Sequence, residues 1–261
     1  MKNDILREII AHKRFEVDIR KKDCSLDQLR DNVSNVTYTP VSMKNALKQS
    51  QSGIIAEFKR KSPSKGWIKE EADVSVIVPG YEHAGATALS ILTDEVFFGG
   101  SLKDLSAARP LVNIPILRKD FIINEYQLYQ ARIVGADAVL LIAAALKPEE
   151  CNLLALKAHE LGLEVLLEIH EESELVYVNE HIDMVGVNNR NLGSFHTDIR
   201  NSFRLADQLP HDTVLVSESG IKDAKTIVDL REKGYRGFLI GENFMKTDNP
   251  SLSLRSLISE I

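Results

Sequence analysis

From Ile54 onward the chain alternates between short aliphatic runs and longer segments with helical spacing. The runs occupy 54–58, 86–92, 115–117, 138–142, 163–169, 184–187, 213–216 and 237–240. Each is short and rich in Val, Ile, Leu or Ala, as strands buried on both faces are. Between them, 74–84, 102–108, 125–134, 148–161, 199–208 and 222–233 have helical periodicity, and Gly85, Gly135, Gly162 and Gly234 stand where a helix C-terminus is capped. A strand-helix unit repeated eight times predicts an α/β chain folded as a (β/α)8 TIM barrel. An open doubly wound sheet is the competitor. It is disfavoured because no Gly-x-Gly-x-x-Gly follows the first run, and six strands would be its usual number.

With 261 residues, 44% of them hydrophobic, the whole chain 1–261 fits one barrel domain. Residues 54–250 would be its core and 1–50 an N-terminal helical extension. In the extension Ile5, Ile9, Ile10, Phe15 and Val17 form a rough apolar stripe. A packing or oligomer-contact helix is its expected role, with a lid over a pocket as the alternative. The net charge of -6 argues against a nucleic-acid surface held by bulk positive charge. No run is long enough to span a membrane, and Asp4, Arg7, His12 and Lys13 break any signal-peptide core. A cytoplasmic protein is expected, with Cys24 and Cys151 reduced and structural.

Barrels of this kind do chemistry at the C-terminal ends of their strands. Here the first run ends in Glu57 and Lys59, the third in Arg118-Lys119-Asp120, the fifth in Glu168 and His170, and the sixth in Asn188-Asn189-Arg190. The seventh ends in Ser217-Glu218-Ser219-Gly220 and the eighth in Gly241-Glu242-Asn243. Ionisable groups at so many ends predict a catalytic rim. Glu57, Lys59 and Lys61 alternate, so they are expected on one side of an extended segment. Ser219-Gly220 and Gly241-Glu242 lie where such barrels bind phosphate through backbone NH groups. For that, the Glu242 side chain has to turn away. Lys59, Lys119 and Arg190 add positive charge on an acidic protein, which suggests a small anionic substrate. Such a lysine could donate protons or, if depressed by burial, form a Schiff base; sequence leaves both open. His170 and His196 lack metal-ligand spacing and are expected to be structural or surface residues.

Six segments in register carry a resemblance: Ile-Ala-Glu-Phe-Lys-Arg-Lys-Ser-Pro-Ser-Lys-Gly from Ile55, Leu-Arg-Lys-Asp-Phe-Ile from Leu117, Glu-Val-Leu-Leu-Glu-Ile-His from Glu164, Gly-Val-Asn-Asn-Arg-Asn-Leu from Gly186, Ser-Glu-Ser-Gly-Ile from Ser217 and Leu-Ile-Gly-Glu-Asn-Phe-Met from Leu239. Together they resemble the indole-3-glycerol phosphate synthases over nearly the whole chain. The resemblance implies a carbon-carbon lyase of tryptophan biosynthesis. Its reaction is ring closure, decarboxylation and dehydration of 1-(2-carboxyphenylamino)-1-deoxyribulose 5-phosphate, without cofactor or metal. It further implies a monofunctional chain that is a monomer or weak homodimer. By position, Lys119 matches the general acid, and Lys59 a lysine that meets the anionic groups and serves the dehydration. Glu57 and Glu168 match proton-accepting carboxylates, and Asn188 an orienting amide. Ser62 and Arg190 match positions near the substrate carboxylate and first loop, Phe98 and Leu140 the wall for the aromatic ring, and Ser219, Gly220, Gly241 and Glu242 the phosphate site. Asn191 departs from the Asp often found there, and Glu242 stands where Ser or Glu occurs.

Overall fold

The protein is described here from a computed structural model that covers residues 5–191, 193, 195–210 and 213–261. Asp4 and Leu192, which entered the reading above, lie outside the described residues. Among the described residues eight parallel strands close into a barrel, each beside its neighbours in sequence. They are Ile54–Phe58, Ala88–Leu92, Ile116–Lys119, Ala138–Ile142, Glu164–Ile169, Met184–Asn188, Val214–Glu218 and Tyr235–Ile240, and the first pairs with both the second and the eighth. The third, sixth and seventh run on to Lys119, Asn188 and Glu218, beyond the apolar residues that marked them in sequence. Ladder hydrogen bonds come from the backbone, so a polar side chain does not end a strand whose edges stay paired.

The helices Val74–His83, Leu102–Ala108, Glu125–Ile133, Pro148–Glu160, Arg200–Ala206 and Ala224–Glu232 fall inside the segments expected from periodicity. Four of the connections back to a strand turn at Gly85, Gly135, Gly162 and Gly234, with φ of +100°, +87°, +75° and +94°. That left-handed conformation is one a Cβ disfavours, which is why glycine marks these helix ends in the sequence.

The period of two along each strand divides its residues between two packings. Ile54, Ala56, Phe58, Val139, Leu141, Val165, Leu167 and Phe238 join the cluster beneath the helices. Ile55, Leu117, Leu140, Leu166, Met184, Val214, Val216 and Leu239 fill the barrel interior. Glu57 and Lys59 continue the phase of Ile55, Lys119 that of Leu117, Glu168 that of Leu166, and Glu218 that of Val214 and Val216. The alternation that fills the barrel therefore aims these polar side chains at its axis, one layer above the apolar filling.

The segment before the first strand holds both ends of the barrel. Helix α1 spans Ile5–Asp23, α2 Leu26–Ser34 and α3 Met43–Gln49. Met43 and Leu47, both fully buried, close the bottom of the interior cluster. Carboxylates at the starts of two strands fix α3 there. Glu164 accepts from Ser42 Oγ at 2.5 Å and the Lys44 NH at 2.8 Å, and Asp137 accepts from Tyr38, from the Val41 NH and from Arg109. In α1, Ile9, Ile10 and Val17 are buried, but Phe15 is 63% exposed and does not belong to the stripe. Residue 15 cannot share a face with both 10 and 17 at 3.6 residues per turn. Among the described residues no helix is long and apolar enough to cross a membrane.

Leu47→Ala is expected to lower unfolding free energy by about 2–5 kcal/mol, the usual range for emptying a buried leucine site. Urea denaturation measures this. Turnover per folded molecule should be unchanged, because Leu47 plugs the end opposite the polar layer.

Candidate active site

The C-terminal mouth of the barrel is a cavity of about 540 Å³. Its floor is the polar layer. Lys119 Nζ lies 2.8 Å from Glu168 Oε2 and 2.7 Å from Glu218 Oε2, with the carboxylates 3% and 2% exposed. Across the floor Lys59 Nζ is 2.5 Å from Glu57 Oε1. Glycines make room for two of these acids. A Cβ on Gly241 would come within 2.3 Å of Glu57 Oε1, and one on Gly186 within 2.2 Å of Glu218 Oε1. Both glycines are needed for space, since any side chain there would occupy the position of a carboxylate oxygen.

Burial alone would lower the pKa of Lys119, but Glu168, Glu218 and Glu57 outweigh it and hold the ammonium above the ordinary lysine value. Burial would raise Glu168, yet Lys119, then His170 and hydrogen bonds from Lys119 and Asn188, bring it well below the usual carboxylate range. In Glu218 burial wins. With the charges of Glu168 and Glu57 added and only Lys119 opposing, its pKa is pushed up to about 7. Two carboxylates thus share one lysine unequally: one stays charged and the other holds a proton near neutrality.

The rest of the rim is built around this floor. Phe98 and Phe121 face each other with ring centroids 5.8 Å apart, and Leu140, Ile142 and the α1 residues Ile5, Leu6 and Ile9 complete an apolar pocket. Opposite, Ser219 and Gly220 have φ of +67° and +79°, and Gly241 leads into the short helix Glu242–Met245. Successive left-handed residues and the first NH groups of a helix give an anion-binding concavity. The Glu242 carboxylate is turned onto Arg190, 3.3 Å from its guanidinium, while Arg190 also donates to Thr197 Oγ1 at 3.3 Å. Asn188 Oδ1 accepts the Arg190 NH at 3.0 Å. Buried Asn189 donates to Ser217 Oγ and to the carbonyls of Glu218 and Ser219, tying the sixth strand end to the seventh. Ser62 is buried against the cavity, and its hydroxyl has no hydrogen-bond partner among the described residues.

All thirteen site residues expected from sequence line this one cavity: Glu57, Lys59, Lys119, Glu168, Asn188, Ser62, Phe98, Leu140, Arg190, Ser219, Gly220, Gly241 and Glu242. Lys61 does not join them. Its ammonium donates to the Val96 carbonyl at 2.9 Å and lies over the Trp67 ring, because after Lys59 the chain turns into a separate hairpin in which Lys61 pairs with Trp67. His196 is exposed, whereas His170 is turned inward, 3.5 Å from Glu168 Oε1 and 3.7 Å from Glu174 Oε2. Glu218 and Phe121 were not singled out as site residues. Glu218 was recoverable from its phase, two residues after the interior Val216. Phe121 lies beyond its strand, where phase gives no guide.

The family model for indole-3-glycerol phosphate synthase matches residues 6–257. The indole-3-glycerol phosphate synthase of Bacteroides thetaiotaomicron is 66% identical over 258 residues, covering 99% of each chain. That of Salinibacter ruber is 42% identical, covering 98% of this chain and 96% of its own. Among solved structures, tryptophan synthase subunit alpha from Legionella pneumophila superposes with a TM-score of 0.61 at 15% identity, over 84% of this chain and 95% of that one. The 3-hexulose-6-phosphate synthase from Salmonella typhimurium gives 0.60 at 12%, over 80% and 100%. These two show the barrel fold alone.

Glu218→Gln is expected to change how stability depends on pH. The folded-state pKa of Glu218 is raised from 4.5 to about 7. Its protonated form therefore favours the fold below the unfolded value, and that contribution is lost as pH rises through 7. Glutamine stays neutral, so the stability of the variant relative to the parent should rise between pH 4 and pH 8, by up to about 3 kcal/mol. Thermal melts at both pH values measure it, and a difference independent of pH would contradict the assignment.

Proposed function

The chain belongs to the indole-3-glycerol phosphate synthase family, and from that premise we propose how this rim closes, decarboxylates and dehydrates 1-(2-carboxyphenylamino)-1-deoxyribulose 5-phosphate. The observation that carries the assignment is a lysine held charged between two buried carboxylates beside an aromatic wall. The substrate phosphate sits in the concavity of Ser219, Gly220, Gly241 and Glu242, and its ring lies against the wall of Phe98, Phe121 and Leu140. Ser62, Arg190 and Asn188 orient its carboxylate and chain.

In the first step the ring carbon that bears the carboxylate attacks the ketone carbon, and the ketone oxygen takes a proton from Lys119. Carbon dioxide then leaves, and its bonding pair restores the aromatic ring. In the last step the new hydroxyl departs as water with a proton from Lys59, and Glu57 accepts a proton from the adjacent methylene. Two protons are given and one is taken, so each turnover draws one from solvent. Glu168, with its depressed pKa, keeps Lys119 in the ammonium form. Glu218, which holds a proton near neutrality 2.7 Å from Lys119, returns the one Lys119 has lost.

A Schiff-base lysine would need a neutral amine, and the carboxylates around Lys119 favour the opposite state. Ile5, Leu6 and Ile9 line the cavity together with the strand ends, which supports a single domain that includes residues 1–50; action as a monomer or weak homodimer is part of the same proposal. The small phosphorylated substrate is the partner the site fits; the net charge of -6 gives no reason to add a nucleic acid.

Adding this substrate to the purified protein without metal or cofactor should produce indole absorbance and fluorescence; saturable binding without indole would overturn the reading. Lys119→Ala should lower kcat by at least about a thousandfold while affinity for a phosphate ligand stays within about tenfold, since a proton donor acts in the transition state. Near-normal turnover in that variant would remove Lys119 from the role. Borohydride in the presence of substrate should leave both lysines unmodified.

A further inference from the structure

Outside the catalytic floor, a cluster of charges is centred on a lysine buried inside the protein. Lys13, on α1, is 0% exposed, and its ammonium is 2.9 Å from each of three carboxylates: Glu16 Oε2, Asp94 Oδ2 and Asp120 Oδ1. Asp94 and Asp120 are also fully buried side chains. Asp94 follows the second strand, and its other oxygen accepts the NH groups of Phe97 at 2.8 Å and Phe98 at 3.3 Å. Asp120 follows the third strand. Its Oδ1 accepts the Phe121 NH at 2.8 Å, and its Oδ2 is held by Thr93 Oγ1 at 2.6 Å and by Arg118 at 2.8 Å. Each aspartate that Lys13 grips is therefore the hydrogen-bond anchor of one of the two phenylalanines that form the aromatic wall of the cavity.

A buried ammonium is a costly way to attach a helix that Ile9, Ile10 and Val17 already pack in place, because apolar residues of similar size do that as well or better. What a three-donor cation does, and a methyl group cannot, is bind two loops and a helix at one point with fixed spacing. We propose that Lys13 is a positioning residue for the reaction, fixing through Asp94 and Asp120 the place of the wall that Phe98 and Phe121 form together and thereby the grip on the aryl ring of the substrate. The N-terminal extension is then part of the aryl subsite twice over. Ile5, Leu6 and Ile9 face the cavity, and Lys13, one turn further on, holds the two loops that carry its aromatic wall. The inference rests on the reaction assigned above.

The test compares the parent with Lys13→Met, Lys13→Arg and Asp94→Asn. Asparagine keeps an acceptor for the Phe97 and Phe98 NH groups while cutting the charge contact with Lys13, so this variant decides the matter if Lys13→Met fails to fold. Steady-state turnover is measured with inorganic phosphate as a competing probe of the phosphate site. In Lys13→Met and Asp94→Asn, KM for the substrate is expected to rise at least about tenfold, with kcat changed less than about threefold and the inhibition constant of phosphate within about twofold. Lys13→Arg, which keeps the charge, should lie closer to the parent than Lys13→Met. A general loosening of the fold would move kcat and phosphate inhibition as well. If all three constants shift together, or none shifts in folded protein, the positioning role is overturned. A parent that binds substrate but forms no indole overturns the reaction assignment itself.

Discussion

An ammonium lodged between two buried carboxylates is the interaction on which the rest of this structure depends. Lys119, Glu168 and Glu218 cannot be taken one at a time. Removing Glu218 leaves a balanced pair, whereas removing the lysine leaves Glu168 without its ammonium in a place with little water. The apolar filling of the barrel, one layer below, provides the low local dielectric that makes these charges sensitive to one another. The same burial gives Glu168 and Glu218 opposite tendencies although both touch the same lysine. His170 and Asn188 favour the charge on Glu168, and Glu57 adds to the charge that Glu218 must resist. A difference in neighbours has become a difference in chemical role.

The barrel delivers these groups by the simplest of its regularities. Side chains alternate, so a strand whose odd positions fill the interior will present its next odd position to the mouth. This is why five strands can each supply one or two groups to a common point without any special loop. Where the geometry is tight, glycine does the rest: Gly186 beside Glu218 and Gly241 beside Glu57 are empty because a carboxylate oxygen is there. The opposite end of the barrel uses the same residue types for another purpose. Asp137 and Glu164 take NH and hydroxyl donors from the segment ahead of α3 and seal the base, with no cavity to serve.

Much of this was legible in the residues. Eight aliphatic runs, four glycine helix ends and a charged group after most strands pointed to a barrel with a working rim, and Glu57, Lys59, Lys119, Glu168 and Arg190, read from the strand ends, share one cavity, whereas Ser62, Phe98 and Leu140 came from the resemblance. What escaped has physical reasons. Glu218 was passed over because a Ser-Glu-Ser-Gly stretch reads first as a turn, and only the closed register shows that strand still running. Phe121 owes its place to a loop, whose direction no periodicity encodes. Phe15 and Lys61 were placed by a pattern that held for their neighbours and lapsed at their own positions. Lys13 entered the sequence reading only as a charge that breaks a signal-peptide core. Its burial depends on two strands distant in sequence that bring Asp94 and Asp120 beneath α1.

The central claim is that Lys119 is an ammonium throughout the working pH range and acts by giving up a proton. Labelling lysine side chains with 15N and following the Nζ resonance of Lys119, assigned by its loss in Lys119→Ala, tests this without relying on turnover. The account predicts the chemical shift of a charged amine up to at least about pH 10, the ordinary lysine range, in the unliganded protein. A resonance that titrates near neutrality would mean that burial defeats the carboxylates, and the lysine would then be a nucleophile and not an acid.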